Sequence, residues 1–213
     1  MTVPGRVESA SLLLSLDPPT WFVRHARAVA EVAAFLAARI EAQGVVVDRR
    51  LVETAALLHD VDKAIPAEDP ARGLPHGDGS AAWLTRRGYP ELARAVANHP
   101  VTKLLDGEHY RRWAAFATRE ERIVAYADKR AGQRLESLDA RFAGWRARYP
   151  RIDTGGDRRV AGLDEASVEV MRRRAARLEA DVCRAAGITP AEVRRLRWTG
   201  PALHAARRRR AAA

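Results

Sequence analysis

Between Thr20 and Gly44, apolar side chains fall at Phe22, Ala26, Val29, Ala33, Leu36 and Ile40. Only a helix turns a spacing of three or four into one continuous face. Asp17-Pro18-Pro19-Thr20 is a helix-start signal and Gly44 a stop. The same grammar recurs downstream. Asp48 can cap a second helix through Leu51, Ala55 and Leu58 to Lys63, before a loop marked by Pro66, Pro70, Gly73 and Pro75. A short helix follows His76 and stops near Gly88. Pro90 opens another that ends before Pro100, because the residue before proline avoids helical geometry.

Thr118-Arg119-Glu120-Glu121 is a capping box. It heads a long expected helix with apolar positions at Val124, Ala127, Ala131, Leu135, Leu138, Phe142 and Trp145. Residues 149–157 read as a linker. Asp164 begins a further long helix stopped by Gly187, and Thr189-Pro190-Ala191-Glu192 is a second capping box. No stretch argues for a strand. The expected fold class is all-α: a flexible leader over 1–16, a helical bundle over 17–147, and a helical extension over 160–213 with a basic tail at 207–210.

At 213 residues the chain can bury a core without staples. Its single cysteine, Cys183, excludes an internal disulfide and reads as a small buried hydrophobe, which suits a reducing cytoplasm. The apolar stretch 9–16 is too short to span a bilayer and lacks a basic segment before it, so no membrane partner is expected. The net charge is +10, carried almost wholly by arginine; Lys63, Lys103 and Lys129 are the only lysines. Such a bias reflects genome composition rather than nucleic-acid binding, but the positive field favours anionic ligands. Arg194, Arg195, Arg197 and the arginines at 207–210 could touch a phosphate backbone. A terminal arginine run is more often a solvated tail, so nucleic acid is the disfavoured partner. The oligomeric state is left open.

The chemistry lies in the histidines. Four of six, His25, His59, His76 and His99, stand on helix faces or ends with apolar neighbours. His25 shares a face with Val29, Val32 and Leu36, and His59 with Val52 and Ala56. Asp60 follows His59, and Asp128 shares a face with Val124 and Ala131. One inward histidine is commonly a hydrogen-bonded core residue. Several converging with two inward carboxylates ask for a cation, because an unpartnered buried carboxylate is costly. Imidazole with carboxylate suits iron, manganese, zinc or cobalt better than calcium. His109 and His204 lack apolar context and read as surface residues.

These residues resemble the HD-domain superfamily. The resemblance is carried by His25 in Val23-Arg24-His25-Ala26-Arg27, by His59-Asp60 in Leu57-Leu58-His59-Asp60-Val61-Asp62-Lys63, and by Asp128 in Ile123-Val124-Ala125-Tyr126-Ala127-Asp128-Lys129. It implies a helical HD-type bundle and a metal-dependent phosphohydrolase. The extra His76 and His99 resemble the two-metal subtype, in particular bacterial hydrolases that split diadenosine tetraphosphate symmetrically. By that resemblance His25, His59, Asp60 and Asp128 hold one divalent ion. His76 and His99 hold a second, with Asp60 bridging, and iron is the expected metal. A metal-bridging hydroxide would attack phosphorus in a phosphorylated small molecule, a nucleotide above all.

Lys63 and Asp60 are the expected catalytic residues; Lys63, Arg130 and Arg134 are expected to bind substrate phosphate. Asp62 and Asp78 could orient ligands but read better as exposed helix-end acids. The loop 66–75, the basic segment after Asp128, and residues 147–213 depart from that subtype. Two rival readings stand: a di-iron oxygenase of a small polar substrate on the same six ligands, and a nucleotide-sensing or nucleic-acid-binding regulator.

Overall fold

The computed structural model describes residues 3–148 and 164–212. The expected linker at 149–157 lies outside them. Among the described residues ten α-helices follow in order: α1 (Arg6–Ser15), α2 (Thr20–Ala42), α3 (Arg49–Leu58), α4 (Asp78–Arg86), α5 (Ala93–Ala97), α6 (Gly107–Phe116), α7 (Arg119–Arg130), α8 (Leu138–Arg148), α9 (Glu165–Ala186) and α10 (Thr199–Ala211). Short 3-10 turns join several of them. No strand occurs among the described residues; one isolated bridge, Ala131 to Leu135, closes the turn between α7 and α8. The all-α expectation therefore holds. No described helix is long and apolar enough to cross a membrane.

Helix α2 is the central post. Its alanines Ala26, Ala30, Ala33, Ala34 and Ala37 are fully buried and let α3, α7 and α9 approach closely. Phe22, Leu36 and Ile40 fill the space between helices. Each such burial contributes about 1.5–3 kcal/mol. The caps fall where the sequence places them. Asp48 Oδ1 accepts from Leu51 N at 2.9 Å, Thr118 and Glu121 close their box, and Asp164 opens α9. Gly187, left-handed at φ 63°, ends α9.

Three expectations are corrected. The expected flexible leader over 1–16 is, in its described part, a helix: α1 buries Ala10 and Leu13 against α3 and α10. Arg6 also grips Glu53 through two hydrogen bonds of 2.6 and 2.7 Å. The arginines at 207–210 are not a tail. They continue α10, whose Ala202, Leu203 and Ala206 are buried, so the two ends of the chain pack together. The long helix from Thr118 breaks at Arg130. Ala131 is extended, Glu136 N returns to Arg130 O at 2.7 Å, and α8 restarts at Leu138. Both flanks are amphipathic, so the periodicity hides the break.

The extension is fastened to α2 by a buried acid. Glu31 accepts from Arg195 at 2.8 Å and from the Thr199 hydroxyl, while Trp198 Nε1 donates to Ala30 O at 3.3 Å. Thr189 and Glu192 form their box, but around a single 3-10 turn rather than a helix.

Candidate metal centre

Five helices position the site. His25 sits in the second turn of α2. His59 is the C-cap of α3, where the helix loosens into the 3-10 turn Val61–Lys63 and carries Asp60 inward. His76 precedes α4. His99 follows α5, and Asp128 lies near the end of α7. His59, Asp60, His99 and Asp128 are buried.

All four imidazoles are tied at Nδ1. That of His59 donates to Ala56 O at 2.8 Å, and that of His99 to Val96 O, in each case the carbonyl three residues back. A helix end leaves such carbonyls without amide partners, and the histidine takes one up. His25 Nδ1 donates to Gly132 O at 2.8 Å, so the break after α7 serves the site. His76 Nδ1 donates to Asp62 Oδ2, also at 2.8 Å. Carbonyls and carboxylates only accept, so the proton is on Nδ1 and each Nε2 is left to face inward.

These inward atoms form two groups. His25 Nε2 lies 3.1 Å from His59 Nε2, 3.3 Å from Asp60 Oδ2 and 3.5 Å from Asp128 Oδ1. His59 Nε2 is 3.6 Å from both carboxylate oxygens. In the second group His76 Nε2 and His99 Nε2 are 3.3 Å apart, and lie 3.2 and 3.3 Å from Asp60 Oδ1. Asp60 thus turns one oxygen to each group. Ligand atoms around one ion at about 2.1 Å lie roughly 3.0–3.4 Å from one another. Both groups are near that spacing.

The electrostatics ask for cations. With Nδ1 protonated, two neutral Nε2 atoms meet lone pair to lone pair unless a proton or a metal lies between them. Asp60 Oδ1 is buried with no hydrogen-bond partner. Without an ion, protons fill the gap. Burial opposes charge on His25 and His76, but the neighbouring carboxylates outweigh it, raising His25 and bringing His76 up to about 9. Burial pushes His99 down to about 4. Each pair therefore contains one imidazole that readily takes a proton. Burial works against ionised Asp60 and Asp128 too. It is overcome at Asp60 by His59, Lys63, His25 and His76, and at Asp128 by His59, His99 and Lys129, and both carboxyls stay well below the usual range. This donor set fits a divalent ion.

The rim is set by the partly exposed residues. Lys63 Nζ reaches Asp60 Oδ2 at 2.7 Å, with its side chain 42% exposed, and His76 is 28% exposed. Solvent, and anything dissolved in it, reaches the centre from this side.

Arg130 is not at the rim, contrary to expectation. Its guanidinium is buried and fully engaged: Nε to Glu136 O, Nη1 to Tyr126 Oη and Glu179 Oε1, Nη2 to Pro190 O. It ties α7 to α9 and cannot also clamp phosphate. Arg134 lies not on the helix of Asp128 but in the loop that supplies Gly132, with its side chain 85% exposed.

Asp62 is not the exposed helix-end acid expected from the sequence. It is buried, holding both His76 Nδ1 and Gly77 N at 2.8 Å. Only the 3-10 turn after Asp60 swings it inward, and no periodicity announces that turn. Gly77 has φ 85°, and a Cβ there would stand 2.8 Å from Pro100 Cγ, so the turn presenting His76 needs glycine. Asp78 pairs with Lys103 at 3.0 Å, away from the ligands. His109 lies half-buried on α6 and His204 is exposed on α10.

The family model described as HD domain matches residues 22–132, just over half of the chain, from three residues before His25 to the residue whose carbonyl holds it. No curated protein and no solved structure gives a significant match.

Proposed function

The chain belongs to the HD-domain family, whose members are generally metal-dependent hydrolases, and we propose that it cleaves a phosphate ester or phosphoanhydride, with a nucleotide as substrate and two divalent ions as cofactors. The observation that carries this reading is the four-fold Nδ1 anchoring, which leaves four Nε2 atoms facing three carboxylate oxygens of Asp60 and Asp128 at 3.2–3.6 Å. In the proposal His25, His59, Asp60 Oδ2 and Asp128 hold one ion, and His76, His99 and Asp60 Oδ1 hold the other. Iron is the preferred metal, with manganese, zinc and cobalt as alternatives.

When bound, such ions supply Lewis acidity and lower the pKa of water towards neutrality. The residues of the chain do the rest. Asp62 and the backbone carbonyls of Ala56, Val96 and Gly132 lock the imidazoles in the tautomer that presents Nε2. Lys63, at the open side, exchanges its contact with Asp60 for a substrate phosphate oxygen and offsets charge that builds on phosphorus. Arg134, exposed beside the loop holding His25, is placed to meet a distal phosphate, where a guanidinium can make paired hydrogen bonds. The buried walls around His59, His99 and Asp128 keep bulk water from that side of the site. The likeness in ligand spacing to symmetric diadenosine tetraphosphate hydrolases makes dinucleoside polyphosphates the first substrates to try.

The test is phosphate release from nucleoside monophosphates, cyclic nucleotides and dinucleoside polyphosphates by protein loaded separately with iron, manganese, zinc or cobalt, in air and without oxygen. Turnover without oxygen, lost in the His59→Ala, Asp60→Ala double variant, supports the proposal. Turnover that needs both iron and oxygen would replace it with an oxygenase.

A further inference from the structure

A second concave site lies away from the metal centre. The turn between α1 and α2, the first two turns of α2 and the end of α10 border a half-open cavity of about 330 Å³, in which Arg24, Arg207 and Arg210 are exposed. Arg24 and Arg27 line it from α2, Arg207 and Arg210 from α10. Both pairs are three residues apart and so share a helix face. Two arginine pairs on different helices therefore line one cavity, with apolar Leu14 and Val23 in its wall and Asp17 as the single acid.

Several arginines elsewhere in the fold are paired with acids, as with Arg6 and Glu53, Arg122 and Asp181, Arg130 and Glu179, or Arg195 and Glu31. None of the four cavity arginines is ion-paired among the described residues. Arg210 donates to Leu14 O at 2.7 Å and Arg27 to Thr199 Oγ1 at 3.1 Å; Arg24 and Arg207 make no hydrogen bond there. Drawing unpaired like charges together is unfavourable unless an anion joins them. At 100° per residue, His25 points roughly 150° away from the centre of the α2 face carrying Thr20, Val23, Arg24 and Arg27, so this is not the mouth of the metal centre.

We propose that this cavity binds a compact polyphosphate anion, the triphosphate group of a nucleotide or inorganic polyphosphate, between α2 and α10. Four guanidiniums against one carboxylate match an anion of several charges, and bidentate arginine contacts suit phosphate oxygens. A concave site of this volume is of small-molecule size. Nucleic acid would call for an extended stripe, whereas Arg208 and Arg209 are turned off the face of Arg207 and Arg210. Occupancy would join the C-terminal helix to the helix carrying His25. The inference does not depend on what the metal centre hydrolyses.

The test is calorimetric titration of the full chain at fixed ionic strength with inorganic tripolyphosphate, adenosine triphosphate and a 20-nucleotide single-stranded RNA. The variants are Arg207→Gln/Arg210→Gln and, independently, Arg24→Gln. Melting without anion checks that these exposed substitutions leave the fold intact. Tripolyphosphate should bind the parent chain, and the double variant should weaken it at least tenfold. A parallel loss for adenosine triphosphate identifies a nucleotide source; tripolyphosphate binding alone identifies the inorganic one. No tripolyphosphate binding, equal affinity in parent and double variant, or binding of RNA alone overturns the proposal.

Discussion

Asp62 Oδ2 stands 2.8 Å from Nδ1 of His76 and 2.8 Å from the Gly77 amide, so one carboxylate fixes both the ring and the turn that presents it. Removing it frees the most exposed of the four imidazoles. Asp62→Ala should weaken one of the two proposed ions by about 10–100-fold and leave the other in place. Metal content after dialysis against a weak chelator should fall by half. Retention of both ions would show that His76 needs no such anchor.

Arg130 and Arg134 separate structure from substrate contact. Arg130→Ala removes a buried guanidinium that serves Glu136 O, Tyr126, Glu179 and Pro190 O. It should cost about 3 kcal/mol of stability, as for breaking a buried pair. Arg134→Ala, at an exposed loop position, should leave the melting midpoint unchanged and raise KM for a phosphorylated substrate several-fold. Denaturant unfolding and steady-state kinetics on the two variants check the assignment. A reversed pattern would return Arg130 to the substrate.

Glu31 should be the costliest acid to lose outside the site. Glu31→Ala strands Arg195 and the Thr199 hydroxyl against α2. Loss of a buried partner costs about 3–5 kcal/mol. The variant should melt well below the parent, with protease cutting first between α9 and α10. Parent-like melting would show that the extension is held by packing alone.

Lys129 makes the stability of the metal-free fold depend on alkaline pH. Its Nζ donates to His99 O at 2.7 Å and Ala125 O at 3.0 Å, and burial pushes its pKa down to about 8 from an ordinary 10.5. Between those values the unfolded chain binds more protons than the folded one, so this group makes stability rise with pH across that window. Below about 8 the penalty on the charged form is constant; above 10.5 it is gone. Lys129→Met should flatten the slope of the urea midpoint between pH 8 and 10.5. The same slope in parent and variant would contradict the assignment.

What was legible in the chain follows a physical division. Helix starts and stops were readable at Asp48, Thr118, Asp164 and Gly187 because caps act locally. The inward direction of His25, His59 and Asp128 was readable from the apolar residues sharing their faces. The break after Arg130 is not, because amphipathic spacing runs unchanged through Ala131 to Trp145, while the turn is closed by Glu136 N on Arg130 O and used by His25 through Gly132 O. The same break decides Arg130: an unbroken helix would carry it on the approach to Asp128, whereas the turn directs it to Glu136 O, Tyr126, Glu179 and Pro190 O. The ordering of α1 and α10 depends on each packing against the other, and a one-dimensional pattern cannot display that.

Asp60 turns Oδ2 towards His25 and Oδ1 towards His76 and His99, and in the proposed centre it would give one oxygen to each of two ions. The most direct measurement is the metal count per chain of manganese- or iron-loaded protein, by plasma mass spectrometry, for the parent and for Asp60→Ala. Two ions per chain are expected in the parent, and loss of both in the variant. A single ion in the fully loaded parent, or two retained without Asp60, would contradict it.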